Sequence, residues 1–186
     1  LAFHPDGTLI AVGGLDGLIS FFRTSNGEKL YSLHGHEVEV TAIAFDPFGR
    51  FLISGARDGS IKKWHLGSSG PQVTVRHTHV IGPLAFSPDD KHLWAIGGGL
   101  NDFQCMNVNG LMKVPLSVSI DNPTGVAVSP DGACLAVVDR PEGSAYCTLF
   151  NDKFEVLHRW RMPSKYWGTP LFSPDGRRLA VSQITG

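Results

Sequence analysis

An all-β chain built from repeated four-stranded antiparallel sheets is what the sequence predicts, and three observations carry the prediction. A six-residue segment keeps returning: "AFHPDG" at Ala2 to Gly7, "AFDPFG" at Ala44 to Gly49, "AFSPDD" at Ala85 to Asp90, "AVSPDG" at Ala127 to Gly132 and "LFSPDG" at Leu171 to Gly176. Their prolines Pro5, Pro47, Pro88, Pro130 and Pro174 stand 42, 41, 42 and 44 residues apart, and a near-constant period of roughly 40 to 45 residues marks a repeat architecture. No segment shows a 3.6-residue apolar stripe with helix caps, which argues against βαβ units and a parallel sheet.

The period Leu33 to Leu66 shows how one unit is built. Val40 to Phe45 is an apolar, β-rich run. Asp46-Pro47-Phe48-Gly49 reads as a turn, because proline presets φ and glycine frees it. Phe51 to Ser54 forms a second strand, and Asp58-Gly59 is a tight-turn dipeptide. Ser60 to Trp64 gives a third strand, the Gly67 to Pro71 loop follows, and Gln72 to Arg76 gives a fourth. Such a meander has an apolar face that it cannot cover alone, so successive copies must cover one another as the blades of a β-propeller do. The repeats are placed at 1–32, 33–76, 77–117, 118–162 and an incomplete 163–186, about four and a half blades. The last would lack its outer two strands, so the chain is expected to be part of a longer one that supplies the remaining blades.

Within Leu33 to Leu66 the chain resembles the WD40-repeat family. Leu33-His34-Gly35-His36 supplies the Gly-His dipeptide, and Asp58 to His65 the closing pattern, with His65 where the family usually has Asp. The resemblance implies that His36, Ser54, Asp58 and Trp64 occupy the family's four structural positions. The chemistry suits them: indole N–H can donate to the Ser hydroxyl, the hydroxyl to the imidazole, and the other ring nitrogen can meet the carboxylate. In the first period Val12 and Phe22 replace the Ser and Trp, and in the third Ala95 and Gly99 replace the Ser and Asp. The fourth keeps only Glu142-Gly143 as a possible tight turn. The later periods equally resemble propellers of TolB type and those associated with dehydrogenases. By family resemblance the complete propeller has six to eight blades.

With 16 basic and 17 acidic residues the net charge is −1, so no global field recruits nucleic acid or an anionic membrane. No apolar run approaches the roughly 18 to 20 residues of a spanning helix. Cys105, Cys134 and Cys147 lack disulfide-scaffold or Cys-x-x-Cys spacing, and the only Asn-x-Ser/Thr is spoiled by Pro123. Both point to a reducing, cytoplasmic setting.

Catalytic chemistry finds no foothold. The pairs His34/His36 and His77/His79 lack a third metal ligand in phase. Gly13-Gly14 and Gly97-Gly98-Gly99 join strand to strand and are turn glycines, since a phosphate loop needs a helix N-terminus. Asp6, Asp131 and Asp175 are read as turn-capping carboxylates. Arg159-Trp160-Arg161 reads as Trp160 packed between blades with solvated arginines beside it, while Trp167 is the better exposed anchor. No cofactor and no metal is expected. The leading reading is a non-catalytic interaction scaffold whose rim loops bind a peptide or protein partner. Alternatives are the propeller of an enzyme, including a periplasmic TolB- or dehydrogenase-like one, or an appendage to a missing catalytic or signalling domain. Candidate partner-binding residues are Leu15, Glu37, Glu39, Arg57, His79 and Arg140, which adjoin the loops near His36 and Asp58, together with Trp167.

Overall fold

The computed structural model describes residues 1–66, 70–71, 73–77, 79–98, 102–115, 120–163 and 168–182. Strands β1 (Ala2–Phe3), β2 (Leu9–Gly13), β3 (Ile19–Arg23) and β4 (Lys29–Leu33) form the first sheet in chain order. The second holds β5 (Val40–Phe45), β6 (Phe51–Ala56), β7 (Ser60–His65) and β8 (Val73–Arg76). The third holds β9 (Ile81–Phe86), β10 (His92–Gly97), β11 (Phe103–Asn107) and β12 (Lys113–Val114). The fourth holds β13 (Pro123–Val128), β14 (Cys134–Asp139), β15 (Ala145–Asn151) and β16 (Val156–Met162), and β17 (Pro170–Phe172) pairs with β18 (Leu179–Val181). These are about four and a half antiparallel blades. The chain divides into two units, Leu1–Leu84 and Ala85–Gly186, with the division inside β9. Among the described residues, no helix is long and apolar enough to cross a membrane.

Burial follows position in the sheet. The second strands β6, β10 and β14 are buried along nearly their whole length, and their sequences FLISGA, HLWAIG and CLAVVD are accordingly near-continuous in apolar residues rather than alternating. Strands β3 and β4 alternate more and less buried positions, the signature of a half-covered sheet. In the first unit Ala11, Phe21, Val40, Phe45, Leu52 and Trp64 form one core shared by two sheets. In the second, Trp94, Ile96, Val126, Leu135, Val137 and Phe150 form another.

The recurring six-residue segments turn the first strand of each sheet into the second. Asp131 Oδ1 accepts from Ser129 Oγ (2.6 Å) and from Ala133 N–H (3.0 Å), while Ser129 Oγ accepts from Cys134 N–H (2.9 Å). Ser173 and Asp175 repeat this pattern, as do Ser87 and Asp89. Asp6 accepts from both the N–H and the hydroxyl of Thr8. Where Phe48 takes the aspartate's place, Asp46 caps the turn instead, accepting from Phe51 N–H at 2.9 Å and Arg50 Nε at 3.1 Å.

The outermost strand β16 corrects the reading of Arg159-Trp160-Arg161. Trp160 is 42% exposed and packs on His158 with ring centroids 4.4 Å apart. Arg159 instead turns back onto the sheet: its Nη2 donates to buried Asp139 Oδ2 at 2.8 Å, and its guanidinium lies 4.4 Å from the Tyr146 ring. β16 is exposed along nearly its whole length, and the buried carboxylate on β14 draws Arg159 back across the sheet, because an uncompensated buried charge is costly. Glu142 lies in a short 3₁₀ turn, Pro141–Gly143.

Candidate partner-binding face and the polar chain beneath it

The loop joining β4 to β5 carries His36, which is buried, while His34 before it and Glu37 after it are exposed. The two histidines therefore do not share a strand face. A hydrogen-bonded chain runs from the second sheet through this imidazole. Trp64 Nε1 donates to Ser54 Oγ at 2.8 Å, and His36 Nε2 lies 2.6 Å from the same oxygen. His36 Nδ1 lies 3.0 Å from Ser60 Oγ, and that hydroxyl donates to Asp58 Oδ1 at 2.6 Å. One set of donors satisfies every contact: indole to Ser54, Ser54 to His36 Nε2, His36 Nδ1–H to Ser60, Ser60 to Asp58. The expected direct bond from imidazole to carboxylate is thus corrected: Ser60 stands between them. The Asp-Gly turn folds Ser60 back onto Asp58, whose Oδ1 also accepts the Ser60 N–H at 3.0 Å.

The electrostatics keep this chain neutral at its centre. Burial pushes the His36 imidazole down to about 4; the Lys62 ammonium adds to the effect and the Asp58 carboxylate opposes it. Lys62 Nζ donates to Gly35 O on the same loop. Burial works to raise Asp58, but two hydrogen bonds from Ser60, with Arg76 3.9 Å away, outweigh it and leave the carboxyl below its ordinary value. A neutral imidazole held between two hydroxyls ties parts together and is a poor proton acceptor at neutral pH.

Above this chain the backbone is clamped sheet to sheet within the first unit. Gly17 and Gly59 close equivalent Asp-Gly turns with φ of 80°. A Cβ on Gly17 would fall within 3.0 Å of His36 O, and one on Gly59 within 3.0 Å of both His77 O and His79 O. Between sheets, Val40 N–H donates to Gly14 O at 3.0 Å; within the second sheet, Arg57 N–H donates to Glu39 O at 3.0 Å and His77 N–H to Gly59 O at 2.8 Å, extending the β5–β6 and β7–β8 ladders. Thr41 Oγ1 sits between Gly55 O and Ile81 O.

Several candidate residues gather on this clamped backbone. Leu15 is 81% exposed, Glu37 and His79 are exposed, and Arg57 Nη1 lies 3.4 Å from Glu39 Oε2. An exposed pair of this kind adds at most about 1 kcal/mol to stability, so both charges remain open to a partner. Arg140 belongs to the second unit, where its N–H donates to Asp121 O and Asn122 O. Trp167 lies outside the described residues, as does Gly99.

Sequence reasoning missed Ser60, Lys62 and Thr41, although Ser two residues after Asp in a tight turn is a signal for the first. It also missed the Asp139–Arg159 pair. In the second unit, burial pushes the Cys105 and Cys147 thiols up to about 11 and raises Cys134 as well. Among the described residues no group of three or more His, Cys, Asp or Glu side chains is placed to hold a metal ion.

The family model described as "WD domain, G-beta repeat" matches residues 1–23 and 27–65. Over these residues the chain carries repeats of the WD40 family. The match takes in the first repeat as well as the second, so the family pattern persists where Val12 and Phe22 break the hydrogen-bonded chain. Among curated proteins, WD repeat-containing protein 75 of Xenopus laevis is 28% identical over 209 residues, covering 100% of this chain and 24% of that protein. Subunit I of eukaryotic translation initiation factor 3 from Pyricularia oryzae is 30% identical over 94 residues, covering 50% of this chain and 28% of that protein. The WD40 chain thus spans about a quarter of the length of these relatives. Among solved structures, the Cps50 (Swd1) β-propeller domain of Myceliophteria thermophila superposes with a TM-score of 0.79 at 16% identity, covering 97% of this chain and 60% of that one. That likeness establishes the fold, a β-propeller.

Proposed function

We propose that this WD40 chain is a non-catalytic interaction scaffold that binds a peptide or protein partner through the loops of the Asp-Gly turns in its first unit. One observation carries the reading: Leu15, Glu37, Arg57 and His79 are exposed and Glu39 half-buried on a backbone held by main-chain contacts, while the ionisable group beneath, His36, is consumed by structure. A loop held rigid before binding loses little entropy when a partner arrives. In this reading His36, Ser54, Asp58 and Trp64, with Ser60 added, hold the loop and do not touch the partner. Arg140 and Trp167 remain candidates on the second unit. The repeats run 1–32, 33–76, 77–117, 118–162 and 163–186, and further blades of a longer chain complete the ring.

The relatives' names support this reading, since one is a subunit of a translation factor and another is named for its WD repeats alone. The same names support an intracellular setting. The test is charge reversal at the pair, Arg57→Glu with Glu39→Lys, on the natural chain. Proteins captured by the parent should be lost from the variant while its thermal midpoint stays within a few degrees. Unchanged capture would reject the assignment of this face.

A further inference from the structure

The second unit carries a cleft of about 340 Å³ that the loop face does not include. It opens between the third and fourth sheets and has two chemistries. Its depth is apolar: Trp94 and Leu135 are buried, and Val114 and Phe154 half-buried. Its mouth is acidic, with exposed Asp89, Asp131 and Asp152. Ser87, His92, Asn151 and the thiols of Cys105 and Cys134 add to the polar lining.

The aromatic floor is set by an uncommon backbone. Phe154 has φ of 64°, a conformation that a bulky residue seldom adopts. Asn151 holds the turn, its Oδ1 accepting from the N–H groups of Lys153 (3.0 Å) and Glu155 (2.9 Å). The result is a Phe154 ring 5.0 Å from the Trp94 ring, which stacks in turn on Phe103 at 5.6 Å. The mouth is under-neutralised. Asp131 spends Oδ1 on Ser129 and Ala133, hydrogen bonds that also hold its carboxyl below the ordinary value. Among the described residues its Oδ2 has no hydrogen-bond partner, and Asp152 has no ion pair. Among the described residues, of the three carboxylates only Asp89 forms an ion pair, with Lys91 at 3.4 Å.

We infer that this cleft docks a basic peptide segment of a partner protein, which inserts one leucine-like side chain against Trp94 and Phe154 and sets flanking lysines or arginines against Asp89, Asp131 and Asp152. A slot of this volume lies within the range of ligand pockets. An apolar anchor gives such a segment its affinity, and complementary charge gives it orientation and encounter rate. The raised thiols exclude the cleft as a nucleophilic centre at neutral pH.

The test is fluorescence anisotropy with the natural chain and a labelled glycine-serine peptide centred on Lys-Leu-Lys. It should bind at least about tenfold more tightly, roughly 1.4 kcal/mol, than matched peptides centred on Lys-Ala-Lys or Glu-Leu-Glu. Asp131→Asn with Asp152→Asn should erase most of that advantage at an unchanged thermal midpoint, since an asparagine side chain keeps the oxygen that caps the turn. Phe154→Gly tests the floor without disturbing the turn, because glycine takes the left-handed backbone more easily; it should lose the preference for leucine over alanine. Equal binding of the three peptides, no binding at all, or indifference to the Asp131/Asp152 variant would each overturn the proposal. The Arg57/Glu39 reversal should leave this binding untouched, so failure here and failure of the loop face are separable.

Discussion

Ser54→Ala tests the buried chain where it is most exposed to failure. Ser54 is fully buried, and its hydroxyl is the junction between the Trp64 indole at 2.8 Å and His36 Nε2 at 2.6 Å. Alanine removes one oxygen and strands two buried groups, a donor and an acceptor, each at about 1–3 kcal/mol. A loss of about 3 kcal/mol follows, a large share of the about 5–15 kcal/mol that holds a typical domain. Trp64→Phe eliminates the stranded donor itself, so the double variant should be less damaged than the sum of the singles by about 1–2 kcal/mol. Urea unfolding of the four chains measures both quantities. Exchange of the Trp64 indole proton gives a local reading that a global effect elsewhere would not move. A Ser54→Ala protein within about 0.5 kcal/mol of the parent, or strict additivity in the cycle, would refute the reasoning.

The remaining predictions concern pH, a turn and an ion pair. Burial lowers His36 from 6.5 to about 4, so its neutral form favours the fold above pH 6.5, and up to about 3 kcal/mol is lost as pH falls from 6.5 towards 4. Unfolding free energy followed across that window should show the fall, and His36→Gln should flatten it. The turn carboxylates lose their share only at lower pH, Asp6 near pH 2. Gly59→Ala drives a Cβ against His77 O at φ 80° and should cost more than about 2 kcal/mol, whereas Gly27→Ala, at φ 72° in open space, should cost only the about 1 kcal/mol of the backbone conformation; thermal midpoints compare them. Arg159→Ala leaves the Asp139 carboxylate, 5% exposed, without its cation and should cost about 2 kcal/mol, discounted because the arginine is half in solvent; urea denaturation checks it.

Much of the fold could be read from the order of residues because its punctuation is chemical. Pro47 and Gly49, or Pro130 and Gly132, leave the chain few options at the turn, and Val40 to Phe45 is β-rich enough that the strand appears at those limits. The polar chain was half legible. Residue types advertise which groups can exchange hydrogen bonds, but Ser60 joins only because the Asp58 turn curls its hydroxyl back, a matter of backbone path. Strand β16 was misread for a different reason. Arg159 and Trp160 alternate as any strand does, and alternation does not say which of them finds a partner on the sheet; Asp139, twenty residues earlier, makes that choice by burying a charge that needs a partner. The cleft of the second unit escaped notice because Trp94, Asp131 and Phe154 come from three separate parts of the chain.

What a Cβ on Gly17 or Gly59 would meet is the carbonyl oxygens of His36, Val38, His77 and His79, not side chains. Seams drawn in main-chain atoms are indifferent to what the neighbouring residues carry. Glu37, Glu39 and His79 can therefore be exchanged for residues of other charge and size without reopening the joint between sheets. A surface of this kind can change its partner over evolutionary time, one exposed residue after another, while the assembly that presents it stays in register.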